Sequence, residues 1–212
     1  MKILIVGINS WYIFHFWLPL LKNLKKDNEV FVLSEYDEFA EKLKNEGLNY
    51  ININFSNTSI NIIQNFKSLI NLYSIYKNIK PDIVHHFNPK PVLMGSLIAH
   101  IIGIKKIFNN YPGLGNLFRK DKLKFNIIRP FISLAYKIIN RKNVISIFQV
   151  NRDERLFINK KLIGKSESLT IASSGVNLNK YKFRNKFNLS DKLKVAMISR
   201  INFDKGIDIY FE

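Results

Sequence analysis

The chain contains no cysteine among its 212 residues, which excludes disulfides, thiol nucleophiles and Cys-ligated metals. Acidic residues are scarce: 16 Asp and Glu stand against 33 Lys and Arg, a formal net charge of +17. Apolar runs are short. The run 98–102 (IAHII) falls far below the roughly 20 residues of a membrane span. The opening MKILIVG is too short for a secretory signal and lacks a small-residue cleavage pattern, so a cytoplasmic protein is expected. There is no GxGxxG, no Walker A segment and no Asp-x-Asp pair to hold a divalent cation on a diphosphate. None of the four histidines sits in a Ser/His/Asp pattern.

What is present is ample core material, with 47% apolar and 13% aromatic residues, so disorder is not indicated. The positive charge points to an anionic partner such as nucleic acid, an anionic membrane or a phosphorylated substrate. The joint abundance of Lys, Asn and Ile is equally what AT-biased coding produces without selection for charge. Both readings stay open at this level.

Along the chain, apolar strands alternate with amphipathic helices. Strands are predicted at 2–7, 29–34, 48–55, 83–85, 105–109, 144–150 and 168–172. Helices are predicted at 15–26, 35–46 (closed by Gly47), 59–78, 89–102 (ending at Gly103), 121–142 (kinked at Pro130) and 152–161. This alternation predicts a doubly wound, mostly parallel α/β sheet with right-handed crossovers. Residues 1–173 form the first domain and 174–191 a polar, turn-rich linker. Residues 192–212 open a second domain: strand 195–198, a basic loop with Arg200, and Asp204-Lys205-Gly206 before a helix. Strand, basic loop and helix N-terminus together suit a phosphate.

In such sheets ligands bind beyond the carboxyl ends of the strands. Four of these ends carry suggestive residues. Gly7, before Ile8-Asn9-Ser10, lets backbone approach a ligand. His85-His86-Phe87-Asn88-Pro89-Lys90 follows the fourth strand; adjacent histidines on a strand point to opposite faces, so one is expected toward the crevice and one into the packing. Lys90 is a candidate anion contact, with a solvated lysine as its alternative. Asn109-Asn110-Tyr111-Pro112-Gly113-Leu114-Gly115 makes a shaped loop or an ordinary turn, and Ser173-Ser174-Gly175 lies at the linker. Residues 119–142 interleave Lys and Arg with Leu, Ile and Phe, as a helix lying on an anionic bilayer would, or one packed on the sheet with solvated lysines.

The order of KILIVG, KPDIVHHFNPKPVLMGSLIAHIIGI, PGLGNLF, SSGVNLNKY and VAMISRINFDKGID resembles retaining GT-B glycosyltransferases of family 4. HFWLPLLKNLKKDNEVFVLSEYDEFAEKLKNEGL is similar to the subgroup that adds N-acetylhexosamines to undecaprenyl diphosphate-linked sugars. The resemblance spans the whole chain. It implies an N-terminal Rossmann-like acceptor domain and the start of a nucleotide-sugar domain. It implies no cofactor or metal, a nucleotide-diphosphate sugar donor, and a glycan acceptor on a lipid diphosphate. By resemblance Gly7, Arg200 and Lys205 contact the donor diphosphate, while His15, His86, Lys90, Asn110, Gly113 and Gly115 line the acceptor side.

There are two departures. Many relatives have a histidine where Pro112 stands, and the family's paired glutamates fall beyond residue 212, so the isolated chain is expected to be inactive. Peripheral contact with the inner face of the plasma membrane through 119–142 is expected. The alternatives are a non-catalytic carbohydrate- or partner-binding module and, on charge alone, a nucleic-acid binder, for which no reading motif exists.

Overall fold

A computed structural model describes residues 1–55, 62–113, 124–140, 143–163, 167–182, 195–199, 201 and 203–211. It divides into two compact units, Met1–Gly175 and Val176–Glu212.

The first unit is a parallel sheet of seven strands in the order β3-β2-β1-β4-β5-β6-β7. The strands are β1 (Lys2–Asn9), β2 (Glu29–Glu35), β3 (Asn49–Asn52), β4 (Ile83–Phe87), β5 (Lys106–Tyr111), β6 (Val144–Phe148) and β7 (Ser168–Thr170). Between them run α1 (Ser10–Leu24), α2 (Glu38–Asn45), α3 (Ile62–Ile79), α4 (Pro89–Ile102), α5 (Lys124–Ile139) and α6 (Asn151–Asn159). The doubly wound α/β expectation is therefore met. The near-continuous apolar runs of β1 and β2 reflect burial on both faces.

The order reverses between β1 and β4, and the helices segregate accordingly. Ile3, Ile5, Val30 and Val32 pack with Ile13, Trp17 and Leu21 of α1 on one face. Leu4, Val6, Val84 and Ile107 pack with α3 and α4 on the other. Val92, Tyr111, Tyr136, Phe148 and Phe157 extend that second core beneath α4, α5 and α6.

Boundaries moved where caps decide them. α1 begins at Ser10, not at residue 15, because the Asn9 side chain accepts the Tyr12 amide at 3.0 Å and starts the helix directly off β1. α2 begins at Glu38 because Asp37 caps it. α4 ends at Gly103, whose φ of +83° is a left-handed C-cap, as expected. α5 runs through Pro130.

In the second unit the predicted strand 195–198 has no ladder and its residues are largely exposed. A strand is stable only beside hydrogen-bonding neighbours, and this unit offers none among its described residues. Phe203–Lys205 forms a 3₁₀ turn leading into α7 (Ile207–Phe211).

Candidate functional site

The carboxyl ends of β1, β2, β4 and β5 converge at the topological switch point, where a parallel sheet opens a crevice. At the β1–β2 side a polar cluster fixes the first turn of α1. Ser10 Oγ donates to the Glu35 carbonyl at 2.9 Å, and Tyr50 Oη donates to the Ser34 carbonyl at 2.9 Å. Asp37 joins two helix N-termini: Oδ2 accepts the Trp11 amide and Oδ1 the Phe39 amide, each at 2.8 Å.

Gly7 was expected to admit a diphosphate. A Cβ placed there would stand 2.8 Å from Ile13 Cδ1, so the missing side chain makes room for α1 on the strand. With Asp37 already on the Trp11 amide, the mouth of α1 presents a carboxylate where an anion would have to come.

The β4–α4 corner is different. Asn88 has φ +73° and ψ 153°, a region almost confined to glycine, and its Oδ1 is buried without a partner. Such strain persists only where the surroundings impose it. Pro89 and Lys90 then open α4. Partial burial holds the Lys90 ammonium below its ordinary value, and the Glu35 carboxylate pulls it partway back. This corner therefore carries a poised cation and an unspent hydrogen-bond acceptor at the rim of the crevice.

His86, expected on the acceptor side, is fully buried on the α3/α4 face. Tyr76 Oη donates to its Nε2 at 2.9 Å and its Nδ1 lies 2.8 Å from Asn109 Oδ1, which also accepts from Ser96 Oγ at 2.9 Å. Neutral imidazole protonated at Nδ1 satisfies both bonds, so we assign that tautomer. Burial lowers its pKa to about 4, partly opposed by the Asn109 hydrogen bond. Gly95 leaves the space the ring occupies, since a Cβ there would stand 2.5 Å from His86 Nε2. This correction follows from strand parity: β4 aims His85, not His86, at the α1 face.

His85 and Asn110 line a cavity of about 490 Å³ on that face, between α1 and strands β1, β4, β5 and β6. Its walls include Phe16, Trp17, Leu20, Phe108 and Ile147, a largely apolar surface. Asn110 is buried there, and its Oδ1 has no partner.

His15 is exposed on α1, with its ring 4.7 Å from Phe39 and 5.0 Å from Trp11. Gly113 is half-buried just past β5. Gly115 and Arg200 lie outside the described residues, and Lys205 is exposed in the second unit. Sequence reasoning missed Glu35, Asp37 and Asn88. The Asn-Pro pair at a strand end was the available signal for the last of these.

Among the described residues no group of three or more His, Asp or Glu converges as a metal ion requires. No helix among them is long and apolar enough to cross a membrane.

Residues 2–148 match the family model described as glycosyl transferase 4-like. The chain is 30% identical to a Campylobacter jejuni enzyme over 212 residues, covering 94% of this chain and 56% of that protein. The relative is named N,N'-diacetylbacillosaminyl-diphospho-undecaprenol alpha-1,3-N-acetylgalactosaminyltransferase. It is 27% identical over 139 residues to an Escherichia coli UDP-Gal:alpha-D-GlcNAc-diphosphoundecaprenol alpha-1,3-galactosyltransferase, covering 64% of this chain and 34% of that one. The chain thus spans about half the length, or less, of these curated relatives.

Among solved structures, a glycosyltransferase from Rickettsia africae superposes with a TM-score of 0.62 at 16% identity, covering 85% of this chain and 45% of that one. Anabaena HepE in complex with UDP gives 0.60 at 13% identity, covering 87% and 47%. These two share the fold. With its Rossmann-like sheet and a family match over most of its length, the chain belongs to the glycosyl transferase 4-like family of GT-B glycosyltransferases.

Proposed function

We propose that this chain is the acceptor-side part of a retaining, metal-independent glycosyltransferase. It would move a sugar from a nucleotide-diphosphate sugar to a glycan carried on a lipid diphosphate, at the cytoplasmic face of a bacterial membrane. The observation that carries this reading is the Asn88–Lys90 corner. A cation held by Glu35 beside a strained, unsatisfied asparagine at the sheet's open rim suits a diphosphate bearing its first sugar. The similarity to two enzymes named for diphospho-undecaprenol-linked substrates supports the same acceptor chemistry.

In this reading Lys90 pairs with acceptor diphosphate and Asn88 Oδ1 accepts from a sugar hydroxyl or amide. As the donor's glycosidic bond breaks, negative charge grows on the departing nucleoside diphosphate, and Arg200 and Lys205 neutralise it. By the family resemblance the glutamate pair lies beyond Glu212, so the 212 residues alone transfer no sugar. His15, between Trp11 and Phe39, offers an aromatic shelf beside the acceptor path.

The test is titration of the chain with a short polyprenyl diphosphate carrying an N-acetylhexosamine, followed by tryptophan fluorescence. We expect saturable binding that weakens about tenfold or more in Lys90→Ala, the scale of one charge-assisted contact. Binding unchanged by Lys90→Ala would refute the site. Sugar transfer by the chain alone would refute its inactivity.

A further inference from the structure

We infer that the outer surface of α3, α4 and α5 is a docking surface for an anionic lipid bilayer. The surface is wider than the single helix the sequence suggested, and only residues 129–140 of that helix can be read at side-chain level.

The first observation is the charge pattern. α3, α4 and α5 contain no Asp or Glu at all. From residue 54 to 151 the sequence has 14 Lys and Arg and two acids, Asp82 and Asp121. Acidic residues are concentrated elsewhere, for example in α2 and α6. A compositional drift toward lysine raises the positive count everywhere; it does not by itself clear acids from three neighbouring helices.

The second observation is apolar exposure on the same elements. Phe66 on α3, Ile101 on α4 and Phe131 on α5 are 63%, 61% and 71% exposed. Ile70, Leu97 and Leu134 stand exposed beside them. Monomeric surfaces scatter such residues singly; here they share one side of the molecule, because α4 packs between α3 and α5.

A groove of about 250 Å³ joins them. Leu69 of α3, Leu93 and Leu97 of α4, and Ala135 and Ile138 of α5 line it, so the apolar surface is continuous across the three helices. Lys67 and Lys77 on α3 and Lys137 on α5 are exposed on the same helices.

An apolar surface set among cations and empty of acids is the pattern of a peripheral membrane contact. The side chains enter the headgroup boundary while lysines meet lipid phosphates, and any carboxylate there would be repelled. Charge complementarity therefore selects an anionic bilayer over a second copy of this chain, which would set two positive, acid-free faces against each other.

The inference is separable from the proposed reaction, because it needs no acceptor or donor. The experiment is flotation of the chain with vesicles of phosphatidylcholine alone or with 30% phosphatidylglycerol (about a third of the lipid), at low and high salt. These vesicles carry no sugar lipid, so their result leaves the acceptor assignment untouched. The chain is expected to float only with phosphatidylglycerol and to be released by salt beyond the screening length of exposed charges. Lys67→Glu/Lys137→Glu is expected to lower vesicle partition by tenfold or more, at roughly one lipid-surface contact per lysine. Phe66→Ser/Phe131→Ser, which changes no charge, is expected to lower it likewise.

Lys25→Glu/Lys26→Glu, at the opposite end of α1, carries the same charge change and is expected to retain binding. Circular dichroism confirms that each variant is folded, which substitution of exposed residues allows. No flotation of the parent chain overturns the inference, as does equal loss in the Lys25/Lys26 control. A dimer that Phe131→Ser dissociates, in a chain that does not float, assigns the surface to self-association and overturns it as well.

Discussion

The Asp37 carboxylate closes the N-terminus of α1, accepting the Trp11 amide at 2.8 Å across 26 residues of sequence. Its other oxygen caps α2 through Phe39. One side chain thereby sets the relative entry of two helices into the rim, and it does so with negative charge where both helix dipoles favour it. Asp37→Ala should cost about 1–3 kcal/mol, the scale of one to two lost caps. Asp37→Asn, which keeps an acceptor, should cost less. Urea unfolding midpoints read both, and equal effects for Ala and Asn would show that charge dominates over the hydrogen bonds.

Gly7→Ala tests why that glycine is there. The new methyl meets Ile13 at 2.8–2.9 Å, so destabilisation of about 1–3 kcal/mol is expected, the range for overpacking. Ile13→Ala in the same chain should recover part of the loss, visible as a coupling energy in a double-mutant cycle. If instead stability holds and only donor binding falls, Gly7 serves a ligand.

His86 makes stability depend on pH with a definite sign. Its folded-state pKa lies near 4 against 6.5 for a free imidazole, so the unfolded chain binds the proton more readily. The contribution is intact above pH 6.5 and falls away as pH drops toward 4. The full difference is about 3 kcal/mol from this group. Protonating Nε2 would leave Tyr76 without its acceptor. Unfolding midpoints at pH 7.5 and 5 should differ accordingly, and His86→Gln should flatten that slope while lowering stability overall.

Asn88→Gly separates strain from function. Glycine accepts φ +73° freely, so unfolding free energy should rise by about 1 kcal/mol or more. Acceptor binding should weaken at the same time, because Asn88 Oδ1 is lost. Gain of stability with unchanged binding would mark the corner as strained for packing alone.

Periodicity and strand–helix alternation made the parallel sheet and all six of its crossover helices legible, because each element's pattern is local. Caps were less so: Asn9 and Asp37 look like ordinary loop residues until their acceptors are seen on backbone amides. That His85 and His86 must part was readable from a strand's period of two. Which one enters the packed core depends on which face α3 and α4 cover, a property of crossovers far away in sequence. The expected strand at 195–198 failed for a related reason, since its apolar run carries no information about whether a partner strand is within reach.

Because β1 lies between β2 and β4, its two edges are satisfied at very different moments of synthesis. The β2 edge closes within some thirty residues, Ile3 pairing with Val30. The other edge waits for Ile83, which pairs with the same Ile3. At about 5–20 residues per second on the ribosome, the most buried strand of the protein shows an open edge for roughly 4–16 s. A nascent chain with Leu4, Ile5 and Val6 on that edge is a client for trigger-type chaperones throughout that interval, and translation rate over residues 36–87 becomes a determinant of yield.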